Sequence, residues 1–98
     1  MVYTTDQLIQ FLKDHKGYFE NEFKVKKIGL FGSYARNEPT EASDIDIVVE
    51  LEKPDLFYLI GIKQVVEEAF ARRVDVVRFR DSMNSVLKKR IERDAIYV

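Results

Sequence analysis

Two segments decide the fold of this chain, and they read Leu30-Phe31-Gly32-Ser33-Tyr34-Ala35-Arg36 and Ser43-Asp44-Ile45-Asp46-Ile47-Val48-Val49. The first apolar run ends at a glycine-serine turn, and the second carries two carboxylates, Asp44 and Asp46. Because side chains alternate between the faces of a strand, both carboxylates project from one face while Ile45 and Ile47 pack from the other. Like charges this close are unfavourable unless a cation lies between them. The pattern therefore predicts a strand with an acidic, cation-binding face.

A third carboxylate occurs in the same kind of setting further along the chain. Asp75 is flanked by valines within the apolar run Val74 to Phe79. If the two strands are neighbours, Asp44, Asp46 and Asp75 share one face of the sheet. Magnesium prefers oxygen ligands and commonly combines one or two carboxylates with phosphates and water. The acids therefore indicate a site for magnesium together with a nucleotide.

The glycine-serine turn supplies features that suit phosphate. A glycine after a strand lets the backbone approach a ligand closely, and the start of the following helix offers N–H groups to an anion. The hydroxyl of Ser33 and, about one turn later, the guanidinium of Arg36 can reach the same phosphate. We therefore interpret Gly32, Ser33 and Arg36 as nucleotide-binding residues. Taken alone, a Gly-Ser pair is more typical of an ordinary turn, and an Asp-x-Asp pair of a surface or a calcium loop.

The rest of the chain alternates between helical and strand patterns, which indicates an α/β (α+β) fold. The predicted strands are Val25 to Phe31, Asp44 to Leu51, Val74 to Phe79 and a short edge strand within Ala95 to Val98. The predicted helices are one capped by Thr4 and Gln7 that stops near Gly17, one that starts at Ser33 and stops before Pro39, one along Leu56 to Phe70, and one capped by Asp81 or Ser82. We expect a single domain over residues 1–98, with a small mixed sheet of three to four strands flanked by about four helices.

Composition limits the classes of protein to which the chain can belong. The chain has 98 residues, no cysteine and a net charge of −1, which excludes disulfides and thiolate metal sites and argues against stable binding to nucleic acid. No apolar run approaches the roughly 20 residues of a membrane span, and the polar N-terminus does not resemble a secretion signal. We therefore expect a cytoplasmic protein that makes no membrane contact.

The Gly32-Ser33 turn, the Asp44-Ile45-Asp46 pair and the later strand acid Asp75 together resemble the signature of the DNA polymerase β-like nucleotidyltransferase superfamily. The wider runs Phe31 to Glu38 and Ser43 to Val49 resemble the minimal nucleotidyltransferases, the MNT (MntA-type) antitoxins of prokaryotic HEPN/MNT toxin–antitoxin pairs. The resemblance extends from about Val25 to the C-terminus. Asn37 departs from it, because members often have glycine there, but asparagine tolerates left-handed backbone angles better than most residues.

The resemblance implies the nucleotidyltransferase fold, ATP as substrate with two Mg²⁺ ions, and transfer of AMP to a hydroxyl. Asp44 and Asp46 would hold both ions. Asp75 would complete the coordination of the catalytic ion and accept the proton of the attacking hydroxyl. The β- and γ-phosphates would lie against Gly32, Ser33 and Arg36.

We expect no further domain to hold an acceptor in a chain this small, so the acceptor is expected on a partner. By the resemblance, the partner is a HEPN ribonuclease toxin whose tyrosine receives AMP, in a homo-oligomer or a hetero-oligomer with the toxin. Two alternatives stay open at this point: an antitoxin that masks its toxin without turnover, and a subunit that nucleotidylates a small molecule. Tyr34 either lines the nucleotide pocket or packs locally, and His15 is expected to pack at a helix end.

Overall fold

A mixed four-stranded sheet forms the centre of the structure, a computed structural model that describes residues 2–98. Its strands are β1 (Val25–Phe31), β2 (Ile45–Leu51), β3 (Val74–Arg78) and β4 (Ile96–Tyr97). The strand order is β3-β2-β1-β4. β2 runs parallel to β3, and β1 runs antiparallel to both β2 and β4. The mixed sheet and its short edge strand were predicted from the sequence and are confirmed.

Five helices surround the sheet in the described part of the chain, one more than the sequence pattern indicates. They are α1 (Thr5–Asp14), α2 (Lys16–Phe23), α3 (Gly32–Ala35), α4 (Leu56–Phe70) and α5 (Ser85–Asp94). The longest, α4, has 15 residues, and none of the helices within residues 2–98 is long and apolar enough to cross a membrane.

The helix starts and stops follow specific capping contacts. The predicted capping box of Thr4 and Gln7 is present. The prediction that this helix stops near Gly17 is wrong, because α1 ends at Asp14 and α2 begins at Lys16, so Gly17 lies inside the second helix. The predicted cap of the last helix is also wrong. Asn84 caps α5 instead, because its side-chain oxygen accepts from two backbone N–H groups of the first turn, at 2.9 and 3.1 Å.

The two faces of the sheet pack against different helices. Ile45 and Ile47 belong to the larger core, which contains side chains of α1, α2 and α4. Val48 faces the other way and packs with Phe31 and Ile91 of α5. Because side chains alternate along β2, Asp46 lies on the same face as Val48, toward the start of the strand. The face that carries Asp46 is therefore the face on which α5 packs.

Candidate functional site

Adjacent parallel strands bring the predicted acids to one face of the sheet. Asp46 and Asp75 are direct register partners on β2 and β3, and neighbouring strands lie about 4.8 Å apart. Asp44 comes immediately before β2 and, by alternation, shares their face. Asp44 and Asp46 are half-buried, whereas Asp75 is exposed. The backbone register therefore places the predicted acids on one face of the sheet.

The electrostatics at Asp46 indicate a site suited to a cation. Burial, followed by the nearby charges of Asp75 and Asp44, raises the pKa of Asp46 to about 6. Arg90 and Arg36 act in the opposite direction. Ionising a carboxylate among other carboxylates is costly, and a cation bound between these carboxylates offsets that cost.

The donor set fits magnesium by its chemistry. Asp44, Asp46 and Asp75 offer only carboxylate oxygens, the ligands that Mg²⁺ prefers. Across residues 2–98, no group of three or more His, Cys, Asp or Glu side chains is arranged to hold a metal ion. The fit to magnesium therefore rests on the donor chemistry and on the face of the sheet that the acids share.

The turn after β1 brings the backbone directly against these acids. Gly32 has a φ of +75°, which L side chains rarely adopt, and a Cβ at this position would overlap the Asp46 carboxylate. The helix that follows is only four residues long, so the turn presents backbone close to the acids rather than the end of a long helix. Asn37 has a φ of +58°, which confirms the left-handed geometry expected for it.

Tyr34 is explained by packing. Its side chain is fully buried in the larger core, and its carbonyl accepts a hydrogen bond from the Thr5 hydroxyl. The structure therefore favours the local-packing interpretation of Tyr34 over a place in a nucleotide pocket. His15 stacks on Phe11 with 4.1 Å between ring centroids, as expected for packing at a helix end.

Arg36 is held by α5 in a contact that the sequence does not reveal. Its Nη1 donates to Asp94 Oδ2 at 2.8 Å, and its Nε lies 3.6 Å from Glu38. Arg36 still acts on Asp46, as does Arg90 from the neighbouring turn of α5. Asp94 and Arg90 were not among the residues predicted for the site, although basic residues are frequent between Arg72 and Arg93.

An open cleft of about 560 Å³ adjoins Asp44, just before the start of β2. Its size lies within the range of small-molecule sites. Ser43 and Asp44 form one side, and Tyr3 and Phe70 contact each other edge to face with 4.9 Å between ring centroids. Its remaining lining residues include Arg72 and Arg73. The combination of an aromatic wall and basic side chains beside an acid was not predicted, because its members come from distant parts of the chain.

We expect Asp94→Asn to destabilise the chain by about 1 to 2 kcal/mol at pH 7, because it weakens charge-assisted hydrogen bonds at a side chain that is only 3% exposed. Hydrogen bonds from Arg93, and to a smaller extent from Arg36, hold the pKa of Asp94 at about 2. Because this value lies below the ordinary 3.8, the contribution is present above pH 4 and is lost as the pH falls toward 2. Urea unfolding at pH 7 and pH 2 measures it. Asp81→Asn, at a 99% exposed acid, is the control, and equal unfolding midpoints for the two variants at pH 7 would contradict the expectation.

At neutral pH the raised pKa of Asp46 lowers the stability of the fold, whereas the lowered pKa of Asp94 raises it. Its folded pKa of about 6 exceeds the ordinary 3.8, so without metal the stability should fall as the pH rises from about 4 to 6. Asp46→Asn removes this titration and should stabilise the metal-free chain at pH 7.5 by about 1 to 2 kcal/mol, after allowance for solvent around the half-exposed carboxyl. Urea unfolding in the presence of a chelator measures the difference, which should vanish below pH 4. Identical pH profiles for the native chain and the variant would refute this expectation.

The fold and the acidic face define a class of protein, a nucleotidyltransferase. The sequence profile described as "Nucleotidyltransferase domain" matches residues 12–98, so the chain belongs to this family. The chain is also similar to the protein adenylyltransferase MntA of Thermococcus cleftensis, with 36% identity over 96 residues that cover 97% of this chain and 96% of that protein.

Solved structures support the same assignment. A structure described as a provisional minimal nucleotidyltransferase matches with a TM-score of 0.76 and 25% identity, over 96% of this chain and 95% of the other. The structure of a tri-AMPylated Shewanella oneidensis HEPN toxin in complex with MNT antitoxin matches with a TM-score of 0.60 and 28% identity, over 95% of this chain and 66% of the matched chain. The nucleotidyltransferase fold and enzyme class predicted from the sequence are therefore confirmed.

Proposed function

We propose that this nucleotidyltransferase is an antitoxin that transfers AMP from ATP to a tyrosine hydroxyl of a HEPN ribonuclease toxin and so neutralises it. The observation that carries the proposal is the register of Asp46 with Asp75, beside a glycine turn that reaches the Asp46 carboxylate. The similarity to an MntA adenylyltransferase and to the antitoxin of an AMPylated HEPN complex supports the acceptor.

Each residue of the site has a role in this proposal. Asp44 and Asp46 would hold two Mg²⁺ ions, and Asp75 would complete the coordination of the catalytic ion. When bound, the ions neutralise phosphate charge and stabilise the attacking and leaving oxygens. The backbone at Gly32 and the hydroxyl of Ser33 would receive the β- and γ-phosphates. Arg36, held by Asp94, would present its remaining donors toward the same phosphates.

The transfer itself is an in-line substitution at the α-phosphorus of ATP. The tyrosine oxygen forms the new P–O bond, the bond to the bridging oxygen of the β-phosphate breaks, and pyrophosphate leaves. The proton of the tyrosine hydroxyl passes to the Asp75 carboxylate. Asp75 suits this step because it is exposed, and an incoming hydroxyl can therefore approach it.

The test uses the full chain, its HEPN partner, Mg²⁺ and ATP labelled in the α-phosphate. We expect label on the partner, no label after Asp44→Ala with Asp46→Ala, and none when the acceptor tyrosine is replaced by phenylalanine. Loss of the partner's ribonuclease activity should parallel the labelling. Neutralisation that persists in the double variant would replace this proposal with masking, and labelling of a metabolite alone would replace it with small-molecule transfer.

A further inference from the structure

Strand β3 is an edge strand whose outer side is open for pairing. Within residues 2–98 its strand partner is β2 alone. The carbonyl of Arg73 accepts from β2 at 3.0 Å, and the N–H of Phe79 donates to β2 at 2.8 Å. In a parallel pair, alternate residues direct their N–H and C=O groups to opposite sides, so odd-numbered residues here bond inward to β2. The backbone groups that face away from the sheet belong to Val74, Val76 and Arg78, and such a row is a template for an added strand.

An exposed apolar ridge lies beside this edge, at the start of α4. Leu56 is 68% exposed, Phe57 is 80% exposed and Ile60 is 42% exposed. Large apolar side chains that remain exposed together commonly mark a surface for another protein. Asp55 caps the helix by accepting from the Phe57 N–H at 2.8 Å, so the ridge projects from an ordered helix start.

Two grooves connect the ridge, the free edge and the acidic face. The first, of about 170 Å³, is lined by Leu56, Leu59, Ile60, Lys63, Asp75 and Val76. The second, of about 430 Å³, shares Leu59 and Val76 with the first and continues past Arg78 and Arg80. The two grooves therefore form one track along β3, with the proposed proton acceptor at one end and basic side chains at the other.

We propose that this track binds the acceptor segment of the partner protein as an added strand on β3. The segment would be extended and apolar, with acidic residues facing Arg78 and Arg80. This inference rests on the proposed function, because it names where the hydroxyl-bearing segment binds. Directly opposed residues on neighbouring strands place their side chains on the same face, with Cβ atoms about 5 Å apart. A tyrosine opposite Asp75 therefore has its hydroxyl on the face that carries Asp46.

Continuity with the acids favours the acceptor segment over other occupants. The groove that contains Asp75 is the same groove that contains Leu56 and Ile60, so an extended segment that lies in this groove contacts the ridge and brings its side chains to Asp75. A second copy of this chain pairing through β3 would block access to Asp75 instead of supplying an acceptor. Self-association through β3 is accordingly an outcome that would overturn the proposal.

The first experiment compares two aspartate substitutions at equally exposed aliphatic residues. Leu56→Asp alters the ridge, whereas Val86→Asp changes a 67% exposed side chain that lines neither groove. We expect Leu56→Asp to raise the KM for the HEPN partner about tenfold or more, with the KM for ATP unchanged. Val86→Asp should leave both values unchanged. Transfer with the same partner KM in both variants would overturn the docking site while leaving the proposed function intact.

The second experiment tests strand addition directly and does not require turnover. Amide hydrogen exchange is followed by NMR in the full chain, with and without the HEPN partner, in the presence of Mg²⁺ and a non-hydrolysable ATP analogue. We expect the Val76 and Arg78 amides to exchange in the complex at about a tenth of their rate in the free chain, or more slowly still. The exchange rate of the Tyr97 amide, at the opposite edge, should be unaffected.

The outcomes of the exchange experiment separate the two proposals. Protection of Val76 and Arg78 without any labelling of the partner by ATP would support the docking site and refute AMP transfer. A bound partner that leaves both amides unprotected would overturn the docking site. Protection that increases with the concentration of this chain alone would assign the edge to a second copy, and a partner that neither binds nor is labelled would refute both proposals.

Discussion

Asp75→Asn is expected to lower the rate of AMP transfer about a thousandfold while changing the KM for ATP by no more than a few-fold. The amide keeps the shape of the side chain but can neither take the proton of the incoming hydroxyl nor serve as an anionic ligand, and loss of a general base typically costs about 10² to 10⁴ in rate. Asp75 is exposed and is the register partner of Asp46. The substitution should therefore remove the proton acceptor and anionic ligand without disturbing the packing of the sheet.

The control for Asp75→Asn is Asp81→Asn, which makes the same chemical change at an acid that is 99% exposed and lies 3.5 Å from Lys88. Its transfer rate should equal that of the native chain. Single-turnover kinetics with saturating partner measure the chemical step separately from binding. A rate for Asp75→Asn within tenfold of the native rate would remove Asp75 from the catalytic role that we propose.

Gly32→Ala is expected to abolish transfer and to lower the unfolding temperature by about 10 °C or more. The φ of +75° at Gly32 disfavours any L residue, at a cost of about 1 to 2 kcal/mol. The new Cβ would also overlap the Asp46 carboxylate, and overpacking of this kind typically adds about 1 to 3 kcal/mol. Each 1 kcal/mol shifts the unfolding temperature of a domain this size by roughly 4 to 8 °C.

Gly17→Ala provides the matched control for Gly32→Ala. Gly17 lies within α2, and a Cβ added there meets nothing within 4 Å. Alanine should therefore stabilise the helix by about 0.5 to 1 kcal/mol and leave transfer unchanged. Thermal unfolding and the labelling assay are measured on both variants. If Gly32→Ala retained native stability and activity, the close approach of this turn to Asp46 would have no functional importance.

The glycine turn and the buried carboxylate lie against each other in the site. Gly32 adopts a left-handed conformation so that the backbone reaches Asp46, and Asp46 is harder to ionise because it is buried beside Asp75. The burial of Asp46 beside Asp75 costs stability in the absence of a ligand, whereas glycine adopts a positive φ about as readily as a negative one. A nucleotide and its metal would relieve the charge conflict, so we expect this family member to be more stable when both are bound.

Local patterns in the sequence were sufficient to predict the strands and which face each side chain takes. The alternation at Asp44, Ile45 and Asp46 determined an acidic face and an apolar face because the strand period is two residues. The apolar stripe of α4 and the capping box at Thr4 depend equally on neighbours within a turn or two. The family signature could be recognised for the same reason, since its residues lie at fixed spacings along the chain.

The pairing of distant segments was decided only by the tertiary structure. The register that places Asp46 beside Asp75 and the ion pair that ties Arg36 to Asp94 join residues 29 and 58 positions apart. The helix break at His15, where the backbone has a φ of −104° and a ψ of 6°, was also missed, because neither glycine nor proline marks that position in the sequence. The open edge of β3 and the exposed ridge on α4 depend on which surfaces remain uncovered after packing. Periodicity shows which face of a helix or strand is apolar, but only the packing of the whole chain determines which element covers that face.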